Sequence, residues 1–156
     1  MPARADGHGL ARRVVMMRPS PTEPSYISRT TKIRQVMTPA PYTIGSDQKL
    51  SVAHQIMREH QLRHLPVLRA GNLVGVLSQR DLYFLESLAG VDVDIDCVAD
   101  AMTQEVYAVH PDDALRDVAR IMANRKYGCA VVMERGRLLG IFTATDALRH
   151  LADALA

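Results

Sequence analysis

The chain contains an internal repeat with one constant offset. The run from Gly75 to Leu82 recurs sixty-five residues later as the run from Gly140 to Ala147, and the chain aligns with itself at this offset without a gap. The other matched positions are Met37-Thr38 with Met102-Thr103, Tyr42 with Tyr107, Asp47 with Asp112, Leu50 with Leu115, Val67 with Val132 and Gly71 with Gly136. Glycines, apolar residues and polar residues matched at a fixed period indicate two copies of one supersecondary unit. Because two copies are too few for an open solenoid, we expect them to pack face to face.

The size and composition of the chain favour one compact module. Its 156 residues, 47% of them apolar, can bury one sizeable core, and the absence of Trp means that this core is mainly aliphatic. Cys97 and Cys129 have no metal-binding spacing, and so few cysteines are typical of a reducing compartment. Arg12-Arg13 precedes too short an apolar run for a secretory signal, and no run approaches the roughly 20 residues that span a bilayer. We therefore expect a cytoplasmic protein without a membrane partner.

Residues 1–31 differ in composition from the rest of the chain. Four of the eight prolines fall there, with Ser, Thr and Gly between them, and basic residues outnumber acidic ones. This composition predicts a flexible basic N-terminal arm over residues 1–31. The arm is either an unstructured leader or a segment that lies on a partner subunit or an anionic surface.

Repeat 1 is assigned to residues 32–89. Its pattern predicts a helical turn over 33–37, an extended segment over 42–44, a helix ending near 60, a hairpin of strands 65–68 and 73–77, and a helix from 78 to about 88. Ser46 or Asp47 is expected to cap the first long helix. Gly71 is expected to adopt positive φ in the hairpin turn.

Repeat 2 is assigned to residues 98–156 and follows the same plan. A helix is predicted to start within 111–113, a hairpin to form from strands 130–133 and 138–142, and a closing helix to run from Thr143 to about 151. The hairpin strands are almost wholly apolar, so both faces of each sheet should be covered. We predict an α/β (α+β) fold in which two β-α-β-β-α repeats pack face to face with pseudo-twofold symmetry.

The segment between the repeats, residues 90–97, is acidic. Asp92, Asp94 and Asp96 have the spacing that begins a calcium loop, but such a loop needs Gly at its sixth position and Glu at its twelfth, where Cys97 and Thr103 stand. The sequence therefore favours an extended acidic linker without calcium.

Each repeat ends with a hydroxyl residue followed three residues later by an aspartate. Ser78 with Asp81, and Thr143 with Asp146, can each cap a helix, which is the common use of this pattern. The same geometry also suits a nucleotide. A helix N-terminus donates N–H groups to phosphate, and an ionised Asp accepts hydrogen bonds from both hydroxyls of a ribose.

The order of these motifs, repeated twice, resembles a tandem cystathionine-β-synthase (CBS) domain pair, or Bateman module, of the stand-alone bacterial type. The resemblance rests on the constant offset, the Val-Met-Thr opening, the run Arg63-His64-Leu65-Pro66-Val67 and the two Gly-x-x-[Ser/Thr]-x-x-Asp endings. It covers residues 33 to about 153. It implies two clefts between the repeats that bind AMP, ADP, ATP or an adenosyl ligand such as S-adenosylmethionine, and a disc-like homodimer.

The resemblance also implies which residues form each cleft. One cleft would use Thr143 and Asp146 with Thr38, Leu62, Arg63, His64 and Pro66. The second would use Ser78 and Asp81 with Thr103, Tyr127, Gly128, Cys129 and Val131. Arg63, His64 or Arg80 would meet phosphate. Asp is implied to bind the ribose diol, Ser or Thr the ribose or phosphate, and apolar strand residues the adenine. Repeat 2 departs from the family pattern because Gly128-Cys129-Ala130-Val131 lacks the His and Pro of repeat 1.

The other polar residues do not suggest chemistry. His54, His60 and His64 are more simply explained as ordinary histidines than as a metal site. Cys129, within an apolar strand, is interpreted as a small buried hydrophobe. No nucleophile, base and orienting residue can be assembled, so we expect no catalysis, no cofactor and no metal. The leading hypothesis is a regulatory adenine-nucleotide sensor that signals to a partner protein through dimer shape. The alternative is a ligand-independent scaffold whose basic arm binds a protein or nucleic acid.

Overall fold

The computed structural model describes residues 30–156. The predicted arm, including Arg12-Arg13, lies outside these residues except for Thr30 and Thr31. The helices are α1 (Ile33–Val36), α2 (Leu50–His60), α3 (Gln79–Glu86), α4 (Val98–Ala101), α5 (Leu115–Arg125) and α6 (Ala144–Ala154). The strands are β1 (Thr38–Pro39), β2 (Ile44–Gly45), β3 (His64–Arg69), β4 (Asn72–Ser78), β5 (Ala108–Val109), β6 (Cys129–Glu134) and β7 (Arg137–Thr143).

The strands form one three-stranded and one four-stranded sheet. One has the order β2-β3-β4 and the other β1-β7-β6-β5. The short strands β2 and β5 run parallel to β3 and β6, and each of these pairs antiparallel with the last strand of its hairpin, β4 or β7. In the four-stranded sheet, β1 of repeat 1 is added antiparallel to β7. The predicted α/β fold with two β-α-β-β-α units is therefore confirmed.

Both hairpins turn through two residues with positive φ. The values are 48° and 79° at Ala70 and Gly71, and 50° and 75° at Arg135 and Gly136. Left-handed backbone at both central positions gives a type I′ turn, whose twist matches that of the flanking strands. The predicted hairpins and the positive φ of Gly71 are confirmed.

The predicted starts of the two long helices are wrong by a few residues. Neither Ser46 nor Asp47 caps α2, because Ser46 is buried and its Oγ accepts a hydrogen bond from Nε of Arg69 at 3.1 Å. The helix instead begins at Leu50. In repeat 2, Asp113 belongs to a turn in which its carboxylate accepts the N–H of His110 at 2.8 Å, so α5 begins at Leu115.

The acidic linker was predicted to be extended, but it is folded into a turn. The N–H groups of Ile95 and Asp96 donate to the carbonyl oxygen of Asp92 at 3.0 and 2.8 Å, and Oδ2 of Asp96 accepts the N–H of Asp92 at 2.7 Å. Short carboxylate side chains bond readily to nearby backbone N–H groups and thereby fold a turn. The carboxylates of Asp92 and Asp96 therefore accept hydrogen bonds from the backbone of the linker itself.

The two repeats exchange their opening helices. Ile33 of α1 is fully buried in the core of repeat 2, and Val98 of α4 is fully buried in the core of repeat 1. Equivalent hydrogen bonds hold both helices: the N–H of Ile33 donates to the carbonyl of Asp113 at 3.0 Å, and the N–H of Val98 to that of Gln48 at 2.8 Å. Each core is thus completed by a residue of the other repeat.

The hairpins also pack against each other across the pseudo-twofold axis. Strand alternation places Leu65 and Val67 in the core of repeat 1, and Pro66 between them points to the opposite face of the sheet. Val131 has the same position in repeat 2, and both Pro66 and Val131 are fully buried. Each sheet is therefore covered on both faces, which confirms the face-to-face arrangement.

Candidate functional site

The segment after each opening helix lies on the last strand of the other repeat. Thr38 pairs with Ile141 of β7, and Thr103 exchanges two backbone hydrogen bonds with Val76 of β4, at 3.0 and 2.9 Å. Glycine on each last strand permits this approach. A Cβ on Gly140 would lie 2.9 Å from the carbonyl oxygen of Thr38, closer than real Cβ contacts allow. Each opening threonine is therefore held beside the closing motif of the other repeat. The closing motif is Ser78 with Asp81 in repeat 1 and Thr143 with Asp146 in repeat 2.

The closing motif of repeat 1 caps helix α3. Oγ of Ser78 accepts the N–H of Asp81 at 3.0 Å and donates to its Oδ2 at 2.6 Å. Such a side-chain oxygen satisfies a backbone donor that the first turn of a helix leaves free. Ser78 and Asp81 therefore meet the structural role predicted for them.

Thr143 and Asp146 cap α6 in the same way, with one more bond. Oγ1 of Thr143 accepts the N–H of Asp146 at 3.2 Å and donates to Oδ2 at 2.7 Å, and the N–H of Thr143 also donates to Oδ2 at 2.9 Å. Oδ1 of the same carboxylate accepts from Nη1 of Arg149 at 3.0 Å. This carboxylate is thus bonded through both oxygens, and its side chain is only 13% exposed.

One groove of about 2190 Å³ runs along both closing motifs. Its walls include most of the residues named from the sequence: Thr38, Leu62, Arg63, His64, Ser78, Arg80, Asp81, Thr103, Tyr127, Gly128, Cys129, Thr143 and Asp146. Pro66 and Val131 are not among the residues that line it, because both are buried between the two sheets.

The start of each hairpin lies beside the closing motif of its own repeat. His64 is the register partner of Ser78, and Cys129 is the register partner of Thr143. The antiparallel hairpin causes this, since it brings the first residue of its first strand against the last residue of its second. His64 also reaches the other repeat, because it packs on Gly128, whose carbonyl accepts the N–H of Ala144 at 3.0 Å.

His64 occupies the junction between the two repeats. A Cβ built on Gly128 would lie 2.6 Å from Nε2 of His64, so the imidazole packs directly on the backbone of Gly128. Burial lowers the pKa of His64 below its usual value; Asp81 opposes this shift and Arg63 adds to it. The imidazole is therefore neutral at pH 7.

Cys129 has no thiolate character. Burial raises the pKa of its thiol to about 12, so the side chain stays protonated at physiological pH. The sequence predicts a buried residue, but Cys129 is half-buried and lines the groove. Its protonated thiol still behaves as a small hydrophobe.

Aromatic rings flank the groove in both repeats. Tyr107 and Tyr127 lie with their ring centroids 5.3 Å apart, and Tyr42 stacks on His60 at 3.9 Å. All four rings line the groove. Of these residues, only Tyr127 was predicted as part of the site; the match of Tyr42 with Tyr107 at the repeat offset is a signal for those two rings.

The groove carries more positive than negative side chains. Its cationic lining residues are Arg58, Arg63, Arg80, Lys126 and Arg149, and its acidic ones are Asp81, Glu105 and Asp146. A cleft with an excess of one charge raises the local concentration of ligands of the opposite sign. The groove therefore favours an anionic ligand.

The three histidines considered from the sequence lie in separate environments. His54 pairs with Glu86, His60 stacks on Tyr42 and His64 packs on Gly128. Within residues 30–156, no three His, Cys, Asp or Glu side chains are placed to hold a metal ion. In the same part of the chain, no helix has both the length and the apolar character needed to cross a membrane.

The fold and the twofold arrangement of closing motifs are those of a CBS domain pair. The CBS domain family model matches residues 33–86 and residues 98–153. This chain belongs to the CBS domain family and carries two such domains in tandem.

Individual relatives agree with this assignment. The inosine-5'-monophosphate dehydrogenase of Korarchaeum cryptofilum is 34% identical over 105 residues, which are 67% of this chain but only 21% of that enzyme. A candidate acetoin utilization protein, AcuB, from Vibrio cholerae has a TM-score of 0.74 and 28% identity over 81% of this chain and 93% of its own. The CBS domain pair of protein MJ0100, in complex with 5'-methylthioadenosine and S-adenosyl-L-methionine, has a TM-score of 0.71 and 24% identity over 79% of this chain and 97% of its own.

Proposed function

We propose that this chain is a regulatory module that binds adenine nucleotides or related adenosyl ligands and transmits their presence to a partner protein. The observation that carries the proposal is the pair of hydroxyl and carboxylate groups at the starts of α3 and α6, both facing one groove. The structure of the MJ0100 pair with two adenosyl ligands supports the same class of ligand. No catalytic step is part of this proposal.

Each closing motif would hold the sugar of a ligand. Asp81 and Asp146 are oriented by their hydroxyl partners, and a carboxylate oxygen has lone pairs for more than one donor. Each can therefore accept hydrogen bonds from ribose hydroxyls while it still caps its helix. Adenine would lie against the apolar strand residues, and phosphate would meet Arg63, His64 or Arg80.

The dimensions of the groove suit more than one ligand. Small-molecule pockets usually have volumes of about 300 to 1,000 Å³, whereas this groove has about 2190 Å³. Since the two closing motifs are pseudo-symmetric, the simplest occupancy is one nucleotide beside each.

A homodimer would carry the signal. Within the described chain, α6 has no buried residue; Leu148 and Leu151 are exposed on it, and Leu155 is exposed just past its end. Tyr83 and Phe84 are exposed on α3, the equivalent helix of repeat 1. Apolar stripes of this kind are typical of interfaces between subunits. A ligand could change the shape of such a dimer only by binding one of its forms more tightly than the other.

The alternative function is a ligand-independent scaffold. It is favoured by the fact that Ser78 and Thr143 already act as helix caps, which accounts for both motifs without a ligand. On this alternative, the aspartates contribute to stability alone.

Thermal unfolding with ligands separates the two functions. AMP, ADP, ATP and S-adenosylmethionine are each added to the full chain at increasing concentration. A ligand selective for the folded state stabilises it by about 2.7 kcal/mol when present at 100 times its Kd. A concentration-dependent rise of Tm with at least one of the four supports the sensor, and no rise with any of them supports the scaffold.

A further inference from the structure

The two closing motifs differ in the surroundings of their carboxylates. Asp146 is bonded through Oδ2 to Thr143 and through Oδ1 to Arg149. Asp81 is bonded through Oδ2 to Ser78, and the described residues give its Oδ1 no comparable partner. The residue equivalent to Arg149 in repeat 1 is Phe84. The pseudo-twofold symmetry is thus broken next to the carboxylate.

We propose that Arg149 makes the cleft closed by Asp146 selective for adenosyl ligands that carry a 5'-phosphate. The inference rests on the proposed adenosyl-binding function and names a specificity residue within it. Arg149 lies on the same side of α6 as Asp146, three residues further along, and its side chain lines the groove.

The charge of the pair supports this selectivity. Arg149 neutralises the carboxylate of Asp146, so this carboxylate offers little attraction to a cationic group such as a sulfonium. A guanidinium has five N–H donors in a fork, and only part of it is engaged by Oδ1 of Asp146. The remaining donors are available to a phosphate oxygen of a ligand whose ribose is held by Asp146.

The exposure of the two side chains fits these roles. The side chain of Asp146 is 13% exposed, whereas that of Arg149 is 64% exposed. The carboxylate is therefore held in the wall of the groove, whereas the guanidinium is accessible to an entering anion.

The test compares AMP with adenosine, which differ only in the phosphate. Titration calorimetry is done on the Asp81→Ala variant, so that the cleft closed by Asp146 is measured alone, and then on the same variant with Arg149→Gln. Arg116→Gln is the matched control, because Arg116 is also an exposed helical arginine paired with an aspartate, and it does not line the groove.

We expect Arg149→Gln to weaken AMP binding about tenfold, the order of one charge-assisted hydrogen bond. Adenosine binding should change less than twofold, and Arg149→Lys should recover part of the loss because it keeps the charge. Equal loss of both ligands would mean that Arg149 acts only by positioning Asp146, and no loss of either would mean that it has no role. Either result would overturn the inference about Arg149 but would leave the proposed adenosyl-binding function standing. If neither the unmodified chain nor the Asp81→Ala variant binds AMP or adenosine, both the proposed function and this inference fail.

Discussion

The imidazole of His64 in repeat 1 packs on the backbone of Gly128 in repeat 2, where the starts of the two hairpins meet. The pseudo-twofold symmetry does not extend to this contact. The residue equivalent to His64 in repeat 2 is the smaller Cys129, and the residue equivalent to Gly128 in repeat 1 is the larger Arg63. This junction lies between the two closing motifs, so its packing is relevant to both clefts.

Gly128→Ala is expected to destabilise the fold through this contact. The new Cβ would lie 2.6 Å from Nε2 of His64, and overpacking of this kind costs about 1 to 3 kcal/mol. Chemical denaturation of four proteins, the wild type, Gly128→Ala, His64→Ala and the double variant, measures the coupling between the two residues. The double variant should lose less than the sum of the single losses. Additive losses would show that the two residues do not touch.

Acid should weaken the fold in part through His64. Burial lowers the pKa of His64 in the folded state below the usual value of 6.5, so the unfolded chain binds the proton more readily. The free energy of unfolding therefore falls as pH drops from above 6.5 through the lower folded pKa, and it is unaffected by this group above that window. His64→Asn should show a smaller decrease between pH 7 and pH 5. Parallel curves for the two proteins would contradict the burial of a neutral imidazole.

The exchange of opening helices predicts that mutations act on the opposite repeat. Ile33→Ala should cost about 2 to 5 kcal/mol, and hydrogen exchange should increase first in β6 and β7 of repeat 2. Val98→Ala should instead loosen β3 and β4 of repeat 1. The two variants are controls for each other. Faster exchange confined to the repeat that contains the mutated residue would show that the helices are not exchanged.

The proposed dimer predicts a sensitive position on α6. Leu148→Glu should convert the dimer to a monomer in sedimentation velocity without loss of folding, because Leu148 is 67% exposed in the single chain. Ile95→Glu, at an equally exposed residue of the linker, should leave the dimer intact. A monomeric wild type, or a dimeric Leu148→Glu variant, would contradict the prediction that α6 forms the dimer interface.

Local patterns were sufficient to predict the repeats, the hairpins and the caps at Ser78 and Thr143. The type I′ turns follow from Gly71 and Gly136 between apolar strands, and a Ser or Thr with an Asp three residues later describes a cap. All of these features depend on residues close together in the chain.

The features that were missed depend on contacts between distant residues or on side chains bonded to backbone. Burial of Ile33 in the other repeat cannot be read from the periodicity of a helix of four residues. Ser46 did not cap α2 because it is bonded to Arg69, and the linker folded because Asp96 bonds to the backbone of Asp92. Arg149 was not predicted because the repeated pattern ends at Asp146, although a position three residues further along a helix shares its face.

The most direct test of the account is calorimetric titration of AMP into three proteins: the wild type, the Asp81→Ala, Asp146→Ala double variant and Asp117→Ala. Asp117 is the matched control, since it also lies in the first turn of a helix but does not line the groove. Loss of a charged acceptor for ribose should cost about 1.5 to 3 kcal/mol of affinity per cleft, whereas loss of a helix-end charge costs about 0.3 to 1 kcal/mol of stability. The account predicts that AMP binds the wild type and Asp117→Ala equally and binds the folded double variant at least tenfold more weakly. Unchanged AMP affinity in the double variant would contradict it.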